Sequence, residues 1–255
     1  MTATSVAPAV RHEPELLGQT VVVIGGSAGI GLETARQARA EGAEVVLTAR
    51  NRERLDQAAA EVGAHSTAAF DANDDAALDQ FFRDLPGQVD HVMVTGGGPT
   101  YARLADIDHA LARRAFDDHL WLPIAIAQHA VGRVRPGGTL LFMDGTSARR
   151  PDYGMALISI NTVALPILAA NLALEIAPIR VNVIAAGFVD TGLSARLLGD
   201  QLDARRQQLR STLPIGRVVG PADIAALAVH LMSNTAVTGA TFDIDGGEQI
   251  VPRSE

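Results

Sequence analysis

The sequence predicts an α/β protein: a single doubly wound parallel sheet of about seven strands with helices on both faces. Two observations carry that prediction. Short apolar runs alternate along the chain with segments of helical periodicity, and the first apolar run ends in Gly25-Gly26-Ser27-Ala28-Gly29-Ile30-Gly31, a turn that opens a helix. Such alternation requires crossover connections, and crossovers make a parallel sheet covered on both sides.

Taken in order, residues 20–24 read as a buried strand and 29–41 as a helix stopped at Gly42. Residues 45–48 and 52–62 give a second strand and helix, and 67–70 and 74–85 a third pair. The strand at 89–94 closes in Gly96-Gly97-Gly98, after which one long helix is predicted from about 104 to 131. A fifth strand at 139–143 leads through a loop to a helix ending at Ala177, and a sixth strand covers 181–184. Residues 192–210 read as a polar helix, Pro221 opens another, and a last strand at 241–244 precedes Asp245-Gly246-Gly247. No linker or repeat interrupts this order. Residues 18–255 therefore read as one domain, and residues 1–17, rich in Ala, Pro and Thr, as a flexible N-terminal tail.

Composition narrows the function. A chain of 255 residues, 47% apolar, can bury a full core. A net charge of −8 argues against nonspecific nucleic-acid binding, which needs a basic surface. The chain has no cysteine, so thiolate nucleophiles, disulfides and Cys-based metal sites are excluded, and no metal site is expected. All 21 basic residues are arginines, so no lysine chemistry can occur. The N-terminal residues lack the basic start and apolar run of a signal peptide, and no stretch reads as the ~18 uncharged apolar residues of a membrane helix. A cytoplasmic protein with no membrane partner is the expectation.

The glycine turn has a physical purpose. Glycines let the backbone approach a pyrophosphate, and the helix start behind them offers free N–H groups and partial positive charge. The alternative is a plain structural turn, which the placement between first strand and first helix disfavours. The second strand ends in Ala49-Arg50-Asn51. An acid there would bond a ribose 2′-hydroxyl, whereas an arginine accommodates a 2′-phosphate. Arg50 therefore points to NADP(H) over NAD(H), against the alternative of a merely solvated arginine.

The spacing Gly-x-x-x-Gly-x-Gly at 25, 29 and 31 is joined by further motifs in a fixed order: Asp71-Ala72, Arg180-Val181-Asn182-Val183-Ile184-Ala185-Ala186-Gly187, Thr191, Pro214-Ile215-Gly216-Arg217, Thr238-Gly239 and Asp245-Gly246-Gly247. Over residues 18–247 this set resembles the short-chain dehydrogenase/reductase family, with Ala186 where a proline is usual. The resemblance implies a Rossmann-type fold. It also implies cofactor contacts from Gly25, Ser27, Gly29, Ile30 and Gly31, from Asp71 and Ala72 at the adenine, from Gly96 and Gly97, and from Gly187, Val189 and Thr191. A homo-oligomer, tetramer or dimer, is implied as well, and the apolar helical stretches 120–130 and 158–174 agree with it.

The same resemblance exposes a gap. The family uses a Tyr as proton donor and a Lys four residues later to tune it, with a Ser and an Asn completing the group. Counting back from Leu172-Ala173-Leu174-Glu175-Ile176-Ala177-Pro178, the Tyr position falls on Ile158 and the Lys position on Thr162. The Ser position falls on Gly145, and the Asn position near His119. A slip of one residue offers Leu157 with Asn161, or Ser159 with Val163, and restores nothing. The fourth strand also departs, with Thr95-Gly96-Gly97-Gly98 where Asn-Asn-Ala-Gly is usual.

Replacement donors near the expected pocket are His119 first, because histidine protonates near neutral pH, and Tyr153 second. Asp144, ending the fifth strand, can pair with His119 or simply cap a turn, and Tyr101 lies on the loop after the fourth strand. Ser147 is a further hydroxyl, and Arg149-Arg150 can meet an acidic substrate or stay solvated. Each aromatic or histidine has the alternative of ordinary packing. Three functions follow: an NADP(H)-dependent oxidoreductase with a non-standard acid, a non-redox isomerase, cyclase or dehydratase, or a cofactor-binding protein without chemistry. Fold does not choose among them.

Overall fold

The structure is a computed structural model that describes residues 14–252. Seven parallel strands form one sheet: β1 (Thr20–Ile24), β2 (Glu44–Ala49), β3 (Ser66–Ala69), β4 (Val89–Val94), β5 (Val134–Gly145), β6 (Arg180–Ala186) and β7 (Thr241–Ile244), in the order β3-β2-β1-β4-β5-β6-β7. Val22 pairs with both Val46 and Val92, so β1 sits between β2 and β4. The order reverses there, and an open α/β sheet holds its ligand crevice at the carboxyl ends of such strands.

Strand alternation divides the core into two layers. Val22, Ile24, Val92, Leu140 and Phe142 face α3 (Asp75–Asp84), α5 (Leu122–Ala130) and α6 (Ala156–Glu175). Val21, Val23, Val45, Leu47, Met93 and Leu141 face α1 (Gly29–Ala40), α2 (Arg52–Val62) and α9 (Pro221–Ser233). β4 is buried along all six residues, Asp90 and His91 included: Asp90 accepts from Thr20 N and pairs with Arg135, and His91 Nε2 donates to Gln19 Oε1, so both buried polar side chains are partnered. Arg180 locks β6 to α9. Its buried guanidinium donates to the carbonyls of Leu231, Met232 and Asn234 at 2.7–2.9 Å, satisfying acceptors that a helix end leaves open.

Four sequence expectations are corrected. The long helix over 104–131 is broken. Asp108 caps α4 (His109–Phe116) by accepting from Leu111 N, and a π-helical segment (Asp117–Trp121) separates α4 from α5. Pro123 has no N–H for the carbonyl four residues back, so the regular ladder cannot run through that point. The helix over 192–210 is two, α7 (Gly192–Leu198) and α8 (Leu202–Thr212), because Gly199 turns left-handed at φ +51° and ends the first. The expected tail is shorter: Leu16 is fully buried and its N–H donates to Glu41 O, so residues 14–17 belong to the domain, while residues 1–13 lie outside the described residues. Finally, α6 is 20 residues with a mean hydropathy of 1.9, long and apolar enough to cross a membrane by length and composition, although here Leu165, Ala169 and Leu172 pack into the core.

Candidate active site

The turn after β1 is built as the glycine pattern requires. Gly25 and Gly29 adopt φ of +92° and +56°, conformations that cost a side chain dearly. A Cβ on Gly31 would stand 2.5 Å from Gly25 O and 2.6 Å from Thr95 Oγ1, so only glycine lets α1 start this close to the turn. Thr95 Oγ1 reaches Gly25 O at 3.1 Å and Ile24 O at 3.2 Å and fixes the turn against β4. No side chain caps α1, so the N–H groups of Gly29, Ile30 and Gly31 face outward with no intrahelical partner. Ser27 is half-buried in the same turn, and a Cβ on Gly29 would touch Thr191, 3.7 Å away. The loop after β6 is thereby brought over the start of α1.

The other expected cofactor residues surround this cradle. Arg50 follows β2 and is exposed, with no ion pair among the described residues. Asp71 closes an Asx turn onto Asn73 N, and Ala72 packs against the core beside it. Gly97 has φ +84° and lies against Asp118 and His119, and the space over Gly96 is open. Val189 is buried and bridges Val219, and Thr191 caps α7 by accepting from Ser194 N at 3.2 Å.

At the end of β5 the positions counted from sequence do meet. A Cβ on Gly145 would stand 3.4 Å from Thr162 Cγ2. Ile158 and Thr162 are both buried, and the Thr162 hydroxyl is spent donating to Ser159 O and accepting from Ala148 N. None of the three offers an acid. His119 Nε2 donates to Gly98 O at 3.1 Å, so its ring orders the β4 loop. Tyr153 is 82% exposed, lies under the Arg103 guanidinium and lines a groove of about 450 Å³ with Leu104, Met155 and Ser159.

Asp144 has the chemistry of an acid. It pairs in register with Ala185 on β6. One carboxylate oxygen accepts from Gly145 N at 2.8 Å, and the other is buried with no partner. Burial pushes its pKa up to about 7, against the smaller opposing effects of the Gly145 N–H bond and the Arg149 charge. Ser147 Oγ, 3.7 Å from where a Gly145 side chain would start, is likewise buried without a partner. No hydrogen bond or ion pair joins Asp144 to His119 among the described residues, so the pairing that sequence allowed does not form. Arg149 and Arg150 are corrected too. Arg149 pairs with Asp243, and Arg150 donates to the carbonyls of Gln249 and Val251, so both bind the C-terminal segment in place of an acidic substrate.

Comparison with known proteins agrees with this geometry. A family profile described as enoyl-(acyl carrier protein) reductase matches residues 25–249. The chain belongs to the short-chain dehydrogenase/reductase (SDR) family. It is 27% identical over 254 residues to the short-chain dehydrogenase/reductase ATR9 of Stachybotrys chlorohalonatus, covering 92% of this chain and 98% of that protein. A small-chain dehydrogenase solved in complex with NADPH superposes with a TM-score of 0.78 at 29% identity, over 91% of this SDR and 99% of that chain. The MalC reductase/Diels-Alderase of Malbranchea aurantiaca has a TM-score of 0.86 at 23% identity, over 92% and 98%, and shows the shared fold.

Sequence reasoning passed over Thr95 as a turn anchor, and over Arg205, Phe188 and Glu248 altogether. Thr95 was visible as the hydroxyl opening the Gly96-Gly97-Gly98 loop. The other three carry no local signal, because they meet only when the loops after β6 and β7 fold against α8.

Proposed function

We propose that this SDR is an NADP(H)-dependent oxidoreductase whose proton donor is Asp144. The buried, unpartnered carboxylate oxygen of Asp144 at the end of β5, with its pKa near 7, carries the reading. Such groups concentrate at working sites, and an acid is most useful near its own pKa.

The residues present fit the cofactor. A Cβ would fill the cradle at Gly31, the first turn of α1 is uncapped, and Arg50 stands free where a 2′-phosphate would lie. The α1 N–H groups would hold the pyrophosphate, Asp71 and Ala72 the adenine side, and Gly187, Val189 and Thr191 the nicotinamide side. When bound, the nicotinamide supplies a hydride. The chain supplies the rest: Asp144 holds a proton at its free oxygen, and His119 holds the β4 loop through Gly98. Thr162 bears no charge for the nicotinamide ribose, so the first turn of α1 and Arg50 carry most of the affinity.

The charge argument is tested by Arg50→Ala. NADPH affinity is expected to fall about tenfold or more, with NADH affinity nearly unchanged, since only NADPH carries the 2′-phosphate. Calorimetric titration decides it, and equal losses for the two cofactors would reject the assignment.

The protein is further proposed to be a cytoplasmic homo-oligomer, a tetramer or dimer, with a small molecule as substrate and neither nucleic acid nor membrane as partner. Ile160, Val163, Ile167 and Leu174 are exposed along one side of α6, a stripe that helical spacing puts on one face. Light scattering is expected to give a multiple of 26.7 kDa, and Ile167→Glu to lower it; a wild-type monomer mass would contradict the proposal.

A further inference from the structure

Four side chains from four separate segments converge at the carboxyl end of the sheet. They are Tyr101 after β4, Phe188 after β6, Arg205 on α8 and Glu248 after β7. Arg205 Nη2 donates to Glu248 Oε1 at 2.5 Å, and the same guanidinium lies 5.9 Å from the Phe188 ring centre. Glu248 Oε2 has no partner among the described residues, and it lies 3.1 Å from where a Gly187 side chain would begin. The Glu248 charge also reaches Tyr101: burial around the Tyr101 hydroxyl, and then the Glu248 charge, push its pKa above the ordinary tyrosine value, although more than half of the residue is exposed. The segment bearing Glu248 is held in place: Asp245 accepts from Gly247 N and Gln249 N, Gln249 reaches Thr146 Oγ1, and Arg150 grips the carbonyls of Gln249 and Val251.

We infer that Glu248 is the specificity-determining residue of this site and selects neutral substrates with an apolar body and one hydroxyl or N–H group. The inference rests on the cofactor reading above, which puts Gly187 beside the nicotinamide. Arg205 already balances the Glu248 charge, so the pair does not call for a cation. Oε2 keeps its lone pairs, and an ionised carboxylate only accepts, so its complement is a donor. A substrate carboxylate would meet like charge there. Phe188, beside the same guanidinium, supplies apolar surface next to it. A site that seats a donor on a charged acceptor rejects the analogue lacking it, because desolvating the acceptor is then left uncompensated.

The test uses the full chain loaded with NADP⁺, which has no hydride to give, and the probes carry no alcohol C–H that could donate one to it, so binding is read without turnover. The probes are 4-hydroxyacetophenone and its near-isostere 4-methylacetophenone, titrated by ligand-observed NMR. The hydroxyl probe is expected to bind about 10-fold tighter, Glu248→Ala to bring the two to parity, and Glu248→Gln to leave about a 3-fold preference. Equal binding to wild type, a preference that survives Glu248→Ala, or no binding of either probe would overturn the inference. Should the alanine variant not fold, an undiminished preference in Glu248→Gln overturns it equally. NADP⁺ is titrated first. Failure of NADP⁺ to bind wild type refutes the cofactor reading itself, whereas NADP⁺ binding without probe discrimination refutes the Glu248 assignment alone.

Discussion

Asp144→Asn is expected to lower turnover by about 10²–10⁴-fold with little change in NADPH affinity, since general acid catalysis contributes that much and the residue lies apart from the glycine cradle. The wild-type pH profile should carry the same signature. Reduction needs the protonated acid, so its rate is expected to hold below about pH 7 and to fall as pH rises through the Asp144 pKa of about 7. Stability should move in the same sense as activity. Between its ordinary value of 3.8 and about 7, Asp144 holds a proton in the folded chain and releases it in the unfolded one, so raising the pH across that window weakens the fold. The penalty is absent below about pH 4 and complete above about pH 7. Thermal melts should therefore show Asp144→Asn gaining on the order of 1–4 kcal/mol over wild type at pH 8 and almost nothing at pH 4. An asparagine variant that keeps full activity, or that gains equally at both pH values, would remove Asp144 from the mechanism.

Gly31→Val is expected to abolish measurable NADP(H) binding, a loss of about 100-fold or more. The first atom of the new side chain would stand 2.5 Å from Gly25 O, which is backbone and cannot swing aside, and the branch would add crowding at Thr95 Oγ1. The start of α1 must then back away from the turn, carrying its N–H groups out of reach of the pyrophosphate. Melting temperature and near-ultraviolet circular dichroism separate this from unfolding, and Gly87→Val, on a glycine that also has no positive φ but has open space around it, reports the cost of the substitution alone. NADPH binding by Gly31→Val at wild-type strength would mean that the cofactor does not use this turn.

The sheet was legible because each strand announces itself. A parallel strand buried on both faces is mostly Val, Ile, Leu or Ala, as in residues 21–24 and, with one buried Asn182, in residues 181–185, and the glycines behind the first strand have to be glycines. Fine structure was not legible where one residue decides the backbone. The break at Asp117–Trp121 turns on a proline inside an apolar helical pattern, and the division of α7 from α8 on Gly199 in a polar one. The site was half legible. The cofactor cradle is local, since Gly25, Gly29 and Gly31 are neighbours in sequence, and so is the count that puts Gly145 against Thr162. The donor is not local. Sequence favoured His119 because histidine side chains protonate near neutral pH, but what sets Asp144 apart is burial, which only the folded sheet supplies. Arg149 and Arg150 likewise read as free cations until the C-terminal segment folds back upon them.

One measurement bears most directly on the claim that this chain moves a hydride with Asp144 as the acid. The protein is mixed in single turnover with NADPH carrying deuterium at both C4 positions and with 4-(hydroxymethyl)benzaldehyde, at pH 6 and pH 8, and deuterium in the alcohol carbon is followed by mass spectrometry. Transfer is expected at pH 6, about tenfold slower at pH 8, and slower by about 10²-fold or more at pH 6 in Asp144→Asn. No deuterium in the product at either pH, or transfer at one rate in all three samples, would contradict it.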